Sequence, residues 1–324
     1  MKKLLTILLL FPILALAWEP TRTVTVISGN TPGAGNELSF RKLAEIVQKN
    51  NPRFTYVVNN VPGADNVVAN NKFYEAVADG YTVNLPGQVN FYVTNEIWQA
   101  KIKKYRYDAF IDVLTMGKSP LVLVASSRST VNSPVDFVRY IHTATRPVNV
   151  AVGGGGHRMV FEYLMLHGHG NSDQVRSISF NGPQPAVTSV AQYDGISGTE
   201  FGIMPVAVAK PLIDAGKVKP IGFTGTRRMP QYSNVQLLNT VAPRINVYAS
   251  WSLQLPGNTP KPVVDWYQKT FSAAVRSQEY RNWCDQNVIF VEESELDPVG
   301  LKRHIEELRT TFLPIAQQIE QDRN

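Results

Sequence analysis

Two segments of the chain share one design, and that repetition constrains the fold more than any other feature. Val24-Thr25-Val26-Ile27 runs into residues 28–36, and residues 148–152 run into Gly153-Gly154-Gly155-Gly156-His157-Arg158. Each reads as a short β-branched strand, a glycine-rich turn and the start of an amphipathic helix. The glycines allow a tight reversal, and the helix that follows aims its first N–H groups and the positive end of its dipole into the loop. A helix start of this kind is a ready site for an anion. Two of them, more than a hundred residues apart, predict two lobes gripping one small anion.

The rest of the chain alternates strand and helix patterns, which predicts an α/β protein with a mainly parallel sheet in each lobe. Residues 54–59, 81–85, 121–125, 148–152 and 221–224 are the clearest strands. Residues 38–48, 67–77, 159–166, 185–192 and 262–275 carry helical spacing, and a last helix runs over 298–321 with Leu301, Ile305, Leu308, Phe312 and Ile315 on one face. Texture changes at Ser119-Pro120 and at residues 243–246, so these mark the expected crossings between lobes. Lobe 1 is then residues 18–119 plus 246–324, and lobe 2 is residues 120–245. Two crossings would allow hinged closure.

Lys2 and Lys3, an apolar run from Leu4 to Leu16 and the small-residue pattern Ala15-Leu16-Ala17 form a secretory signal, so residues 1–17 are expected to be removed after Ala17 and the protein to be periplasmic. The chain has 32 basic and 26 acidic residues for a net charge of +6, two of the basic ones lying in that leader. Such an excess draws anions over long range without marking a nucleic-acid binder. Cys284 is the single cysteine, so no internal disulfide can form. Enzyme signatures are absent: Gly195-Ile196-Ser197-Gly198 is followed by Thr199 where a nucleophile elbow needs glycine, and no lysine and hydroxyl follow the four glycines. His157, His167 and His169 lack the spacing and carboxylate partner of familiar zinc sites. Neither a metal nor a cofactor is expected.

Several further landmarks follow in order: Gly33-Ala34-Gly35 before Arg41, Asn60-Val61-Pro62-Gly63-Ala64 with Asn66, Asp79-Gly80-Tyr81-Thr82, and Ser119 through Val124. Then come Phe180-Asn181-Gly182 with Pro185-Ala186, Ala215-Gly216-Lys217, Thr224-Gly225 with Arg227-Arg228, and Trp251 before Pro256-Gly257-Asn258-Thr259-Pro260. In this order the chain resembles the solute receptors of tripartite tricarboxylate transporters, the Bug-type periplasmic binding proteins, over nearly its whole length. The resemblance implies a two-lobed Venus flytrap of the type II-like periplasmic-binding-protein class. It implies a small carboxylate ligand, a di- or tricarboxylate or related organic acid, delivered by a monomeric receptor to two membrane subunits, one large and one small.

Carried onto this chain, the resemblance assigns the ligand to Asn30, Thr31, Pro32, Gly33, Ala34 and Gly35 in the first loop. Gln88 and Asn90 reach a distal group, while Gly154, Gly155, Gly156, His157 and Arg158 form the second loop, joined by Asn181 and Gly182. For each loop the alternative is a plain strand-to-helix connector. The second loop is two residues shorter than the family pattern and lacks its hydroxyls; Arg158 there is either a bidentate carboxylate partner or a solvent-facing first-turn residue. Glu37 stands where the family has an aspartate and is expected to cap its helix. Met204 falls in a strand where an acid would recognise an ammonium group, which favours a ligand without an amine. A ligand-sensing receptor for a membrane signalling partner is the alternative function, with an enzyme less favoured still.

Overall fold

The computed structural model describes residues 18–167, 174–226, 228–243 and 245–322. The leader with its cleavage point, His169 and Arg227 lie outside the described residues. The chain opens with β1 (Val24–Ser28), α1 (Gly35–Asn50), β2 (Tyr56–Asn60), α2 (Val67–Tyr74), β3 (Thr82–Asn84) and the short α3 (Asn95–Trp98). A π-helical turn, Asn90–Thr94, leads into α3. Next comes β4 (Phe110–Ser126), the longest strand at 17 residues.

Beyond it lie α4 (Pro134–Thr143), β5 (Val148–Val152), α5 (Gly155–His167), β6 (Val175–Ser179), α6 (Pro183–Ala191), β7 (Phe201–Pro205), α7 (Val206–Asp214), β8 (Val218–Phe223) and β9 (Gln236–Leu237). The chain returns through β10 (Tyr248–Pro256) and ends in α8 (Lys261–Arg276), α9 (Gln278–Gln286) and α10 (Pro298–Gln321).

These elements build the two-lobed α/β fold. In the first sheet β1 lies parallel to both β2 and β3, and β10 runs antiparallel to β3 and β4. In the second sheet β5 lies parallel to β6 and β7, while β4 runs antiparallel to β7 and β8. The parallel pairs follow from the strand–helix–strand repeats, whose crossover helices cover the sheet faces. One strand serves both sheets. β4 pairs with β10 through Pro120 and with β7 from Leu121 onward.

Burial explains why the elements stay where they are. α1 and α8 cover the first sheet with Phe40, Leu43, Val47, Tyr267 and Phe271, all at most 1% exposed. α6 and α7 cover the second sheet through Val187, Val190, Val206 and Ala209. A third cluster spans both regions, joining Phe91 and Leu121 to Val150, Met159 and the inner face of α10. The predicted face of α10 holds, with Leu301, Ile305 and Leu308 buried. At roughly 25 cal/mol per Å² of apolar surface removed from water, such helix faces dominate the favourable side of folding.

Several bounds differ from the sequence expectation. α1 and α5 start three and four residues earlier than apolar spacing indicates, because glycine and small polar residues carry no hydrophobic period. The first half of β4 was hidden because Asp112, Thr115, Lys118 and Ser119 interrupt its apolar run. Asp112 sits instead in a buried polar cluster, accepting from Tyr92 Oη at 2.5 Å and from Gln254 Nε2 at 3.1 Å. Burial pushes the Asp112 carboxyl up to about 6, against the hydrogen bonds that favour its ionised form.

Candidate functional site

Residues of both loop-to-helix units line one cavity of about 540 Å³, a volume that includes open solvent at its mouth. From the first unit Asn30, Ala34, Gly35 and Asn36 line it; from the second, Gly153, Gly156 and His157. Asn90 stands between them, and Trp251 and Ser250 of β10 contribute another wall. Gly35 packs tightly at this wall, where a Cβ would stand 3.0 Å from the Trp251 ring. Gly153 is needed on the other, because a Cβ would overlap the Pro183 backbone.

α1 meets the cavity with its N-terminus open. Its N-cap is Ala34, in an extended conformation and with no side-chain acceptor, and the first helical bond is donated by Leu38 N–H to Ala34 O at 3.0 Å. The N–H groups before it have no helical partner. Glu37 does not cap this end, contrary to the sequence expectation. It turns away, bonding the Arg41 guanidinium at 2.7 Å and accepting from Asn60 Nδ2 at 2.9 Å. The neighbouring amides are held in place: Asn36 Nδ2 donates to Leu85 O at 2.6 Å, and Asn66 Nδ2 to Gly29 O at 2.7 Å.

α5 meets the cavity with its N-terminus occupied by other parts of the chain. Gly156 N–H donates to Asn90 Oδ1 at 2.7 Å. The Asp65 carboxylate lies beside Gly155, on a turn where Ala64, Asp65 and Asn66 all have positive φ. Burial raises the Asp65 carboxyl above its usual range, and the Gln99 amide, the Arg158 charge and the Gly155 N–H pull it back toward the ionised form. Three non-glycine residues in the left-handed region form a strained turn, so packing must hold it.

His157 is the one titratable group of the second unit on the cavity wall. Burial lowers its pKa to about 4, so the ring is neutral near pH 7. Its Nδ1 is buried with no hydrogen-bond partner. Arg158 does not line this cavity. Its Nε is 3.6 Å from Glu162 Oε1, one turn along α5, and its guanidinium lies 5.3 Å over the Trp98 ring.

Of the residues singled out from sequence, Asn30, Ala34, Gly35, Asn90, Gly156 and His157 line this cavity together. Thr31 and Pro32 line a separate outer groove with Gln184. Thr31 N–H donates to Asn181 O at 3.2 Å, and Gly182 packs so closely on Thr31 that a Cβ would stand 2.9 Å from its Oγ1. These residues join the first unit to the loop between β6 and α6. Gly33, at φ 89, and Gly154 and Gly155 shape the turns. Gln88 is fully buried elsewhere, donating to Thr115 Oγ1 at 2.9 Å and lying 3.1 Å from His304 Nε2. Met204 is buried in the second sheet and does not reach the cavity.

Sequence reasoning missed the β10 wall, Asn36 and Asn66. Trp251 was visible as a landmark, but nothing in its neighbourhood showed that β10 would return between β3 and β4. Among the described residues lining the cavity there is no Lys, Arg, Asp or Glu. The site offers amides, an imidazole, hydroxyls and backbone N–H groups.

A two-lobed α/β fold with twin loop-to-helix units facing a cavity of neutral donors is that of a solute-binding protein of the periplasmic type. The family model for the tripartite tricarboxylate transporter family receptor matches residues 39–310, and the chain belongs to that family. Solved structures carry the same fold. MatC from Rhodopseudomonas palustris with bound malate superposes with a TM-score of 0.82 at 21% identity, covering 92% of this chain and 100% of that one. The periplasmic binding protein BugD gives 0.83 at 19% identity, over 93% and 99% of the two chains. Rpa4515 from R. palustris with adipate gives 0.83 at 20%, over 93% and 98%. The family is one of transport receptors rather than enzymes, and no helix among the described residues is long and apolar enough to cross a membrane.

Proposed function

We propose that this receptor captures a small carboxylate, a di- or tricarboxylate or a related organic acid, in the cavity between α1 and α5, and hands it to a tripartite tricarboxylate-type transporter. The observation that carries this reading is the uncapped N-terminus of α1 on a cavity wall that, among the described residues, holds no acidic side chain. A carboxylate leaving water needs replacement donors, and backbone N–H groups at a helix start provide them along with a favourable dipole. The solved relatives with malate and adipate are consistent with the same class of ligand.

In this reading Asn30, Ala34, Gly35, Asn90, Gly156 and His157 form the contact surface. Thr31, Gly33, Gly154, Gly155, Asn181 and Gly182 set the loop shapes and the contact between lobes. Lobe 1 is residues 18–119 and 246–324 and lobe 2 is residues 120–245, a division favoured by the exchange of β4 partners at Pro120. The leader directs the protein to the periplasm as a monomer, where one large and one small membrane subunit accept the ligand. Sensing for a membrane signalling partner would use the same cavity; no observation favours it over transport.

A thermal-shift screen of the mature protein against mono-, di- and tricarboxylates, amino acids, phosphate and sugars tests the ligand class. At a hundredfold excess over its dissociation constant a carboxylate is expected to stabilise the protein by about 2.7 kcal/mol. A response to sugars or phosphate with none to any carboxylate refutes the reading.

A further inference from the structure

We infer that the cavity accepts one carboxylate and not two, so that the ligand is a monocarboxylate whose other end is uncharged. The inference rests on the carboxylate reading above and narrows it to organic acids with one carboxylate, excluding the di- and tricarboxylates which that reading also admits. Of the two helix starts that the twin design offers, one is already taken. Asn90 Oδ1 accepts the Gly156 N–H at 2.7 Å, and the Asp65 carboxylate lies against Gly155. A ligand carboxylate arriving at α5 would have to displace an amide cap and approach a half-buried acid of the same sign. In a partly desolvated site such like-charge pairs are strongly unfavourable.

The cavity also lacks the means to neutralise a second charge. No lysine or arginine is among the described residues that line it. Arg158 lies outside the lining: its Nε stands 3.6 Å from Glu162 Oε1, its guanidinium lies over the Trp98 ring, and its charge also acts on Asp65. At α1 the situation is the reverse: the N-cap Ala34 has no side-chain acceptor, and Gly35 and Asn36 face the cavity. One carboxylate can therefore be held there by backbone N–H groups.

The remaining wall fits an uncharged body. Val89, Leu121, Val247, Pro183, Pro205 and the Trp251 ring provide apolar surface. The His157 ring on this wall is a neutral hydrogen-bonding group whose buried Nδ1 has no partner.

Titration calorimetry at pH 7.5 with acids paired by skeleton tests this directly: butanoate against butanedioate, hexanoate against hexanedioate, and benzoate against benzene-1,4-dicarboxylate. The best-bound pair is expected to favour its monocarboxylate by at least about tenfold, which is the effect of roughly 1.4 kcal/mol. In Asp65→Asn, which keeps a residue tolerant of positive φ, that preference should shrink at least about threefold. Asn90→Ala provides a second route to the same result by freeing the Gly156 N–H. A dicarboxylate bound as tightly as its partner, or a preference unchanged in both variants, overturns the inference while leaving a carboxylate receptor intact. Binding of none of the six acids, with a response to sugars or phosphate, overturns the carboxylate reading and the inference together.

Discussion

Both loop-to-helix units start from a β-branched strand and a run of small residues, yet they meet the cavity in opposite conditions. At α1 the N-cap is Ala34, which has no side-chain acceptor, and Gly35 and Asn36 line the cavity; at α5 Asn90 and Asp65, which lie far away in sequence, approach the first glycines. The contrast teaches that a glycine-rich helix start is a capacity for binding anions, and that its tertiary neighbours decide whether the chain or a ligand uses it. Both units line the cavity, but only the α5 start is engaged there by Asn90 and Asp65 from elsewhere in the chain.

Three changes would break or sharpen that contrast. The largest effect is expected from Gly155→Val, because a Cβ there would overlap Thr94 Oγ1 and crowd the Asp65 carboxylate. Affinity for the ligand should fall by about a hundredfold or more as the halves are held apart, the cost of overpacking a tight contact. Calorimetry checks this, and small-angle scattering should report a more open molecule. Unchanged affinity would return the second loop to the status of a connector.

A pH experiment comes next in size, since His157 near the start of α5 is a titratable group on the cavity wall. The folded-state pKa of His157 is about 4 against an ordinary 6.5, so between those values the unfolded chain binds a proton that the folded one refuses. Its contribution to stability is therefore present above pH 6.5 and lost as pH falls. Asp112 acts in the opposite sense over an overlapping window, because its folded pKa of about 6 makes the native state the better proton acceptor as pH falls toward 4. His157→Gln should remove the first effect and leave the second. Chemical denaturation at pH 7.5 and 4.5 is expected to show the variant gaining about 2 kcal/mol relative to wild type on acidification. Equal acid sensitivity of the two proteins would place the His157 ring in contact with water.

The smallest effect should come from making α1 resemble α5. Ala34 has φ −71 and ψ 153, the conformation an N-cap residue needs. Ala34→Ser supplies the absent acceptor, which should stabilise the protein by about 0.5 to 1 kcal/mol. It should weaken ligand binding by about fivefold at the same time, since the serine would compete for the same amides. A stability gain without loss of affinity would show that the ligand does not use this helix start.

Much of the fold was legible in the chain because it rests on local patterns. The β5 strand appears at its predicted bounds, and so does α10, whose apolar spacing and Asp297-Pro298 start mark it clearly. The twin units were legible for the same reason, as β-branched runs ended by glycine. β4 was read only in its apolar second half, since the first half places polar side chains in a buried network that no periodicity announces. Ala34, Gly35, Asn90 and His157 could be singled out because they belong to the loops or follow a strand end. Asn36, next to Gly35 in the first unit, was passed over, while Trp251 and Asn66 could be seen only as landmarks because their places on the wall depend on how distant segments pack.

The sequence by itself determined the α/β class, the two helix starts and the family, since each depends on residues close together or on landmarks in order. Only the tertiary structure decided that α1 stays open while α5 is filled. Asn90 and Asp65 are 66 and 90 residues from the glycines they approach. A hydrogen bond across such a separation is set by how the two sheets pack about β4, which no local pattern of side chains encodes.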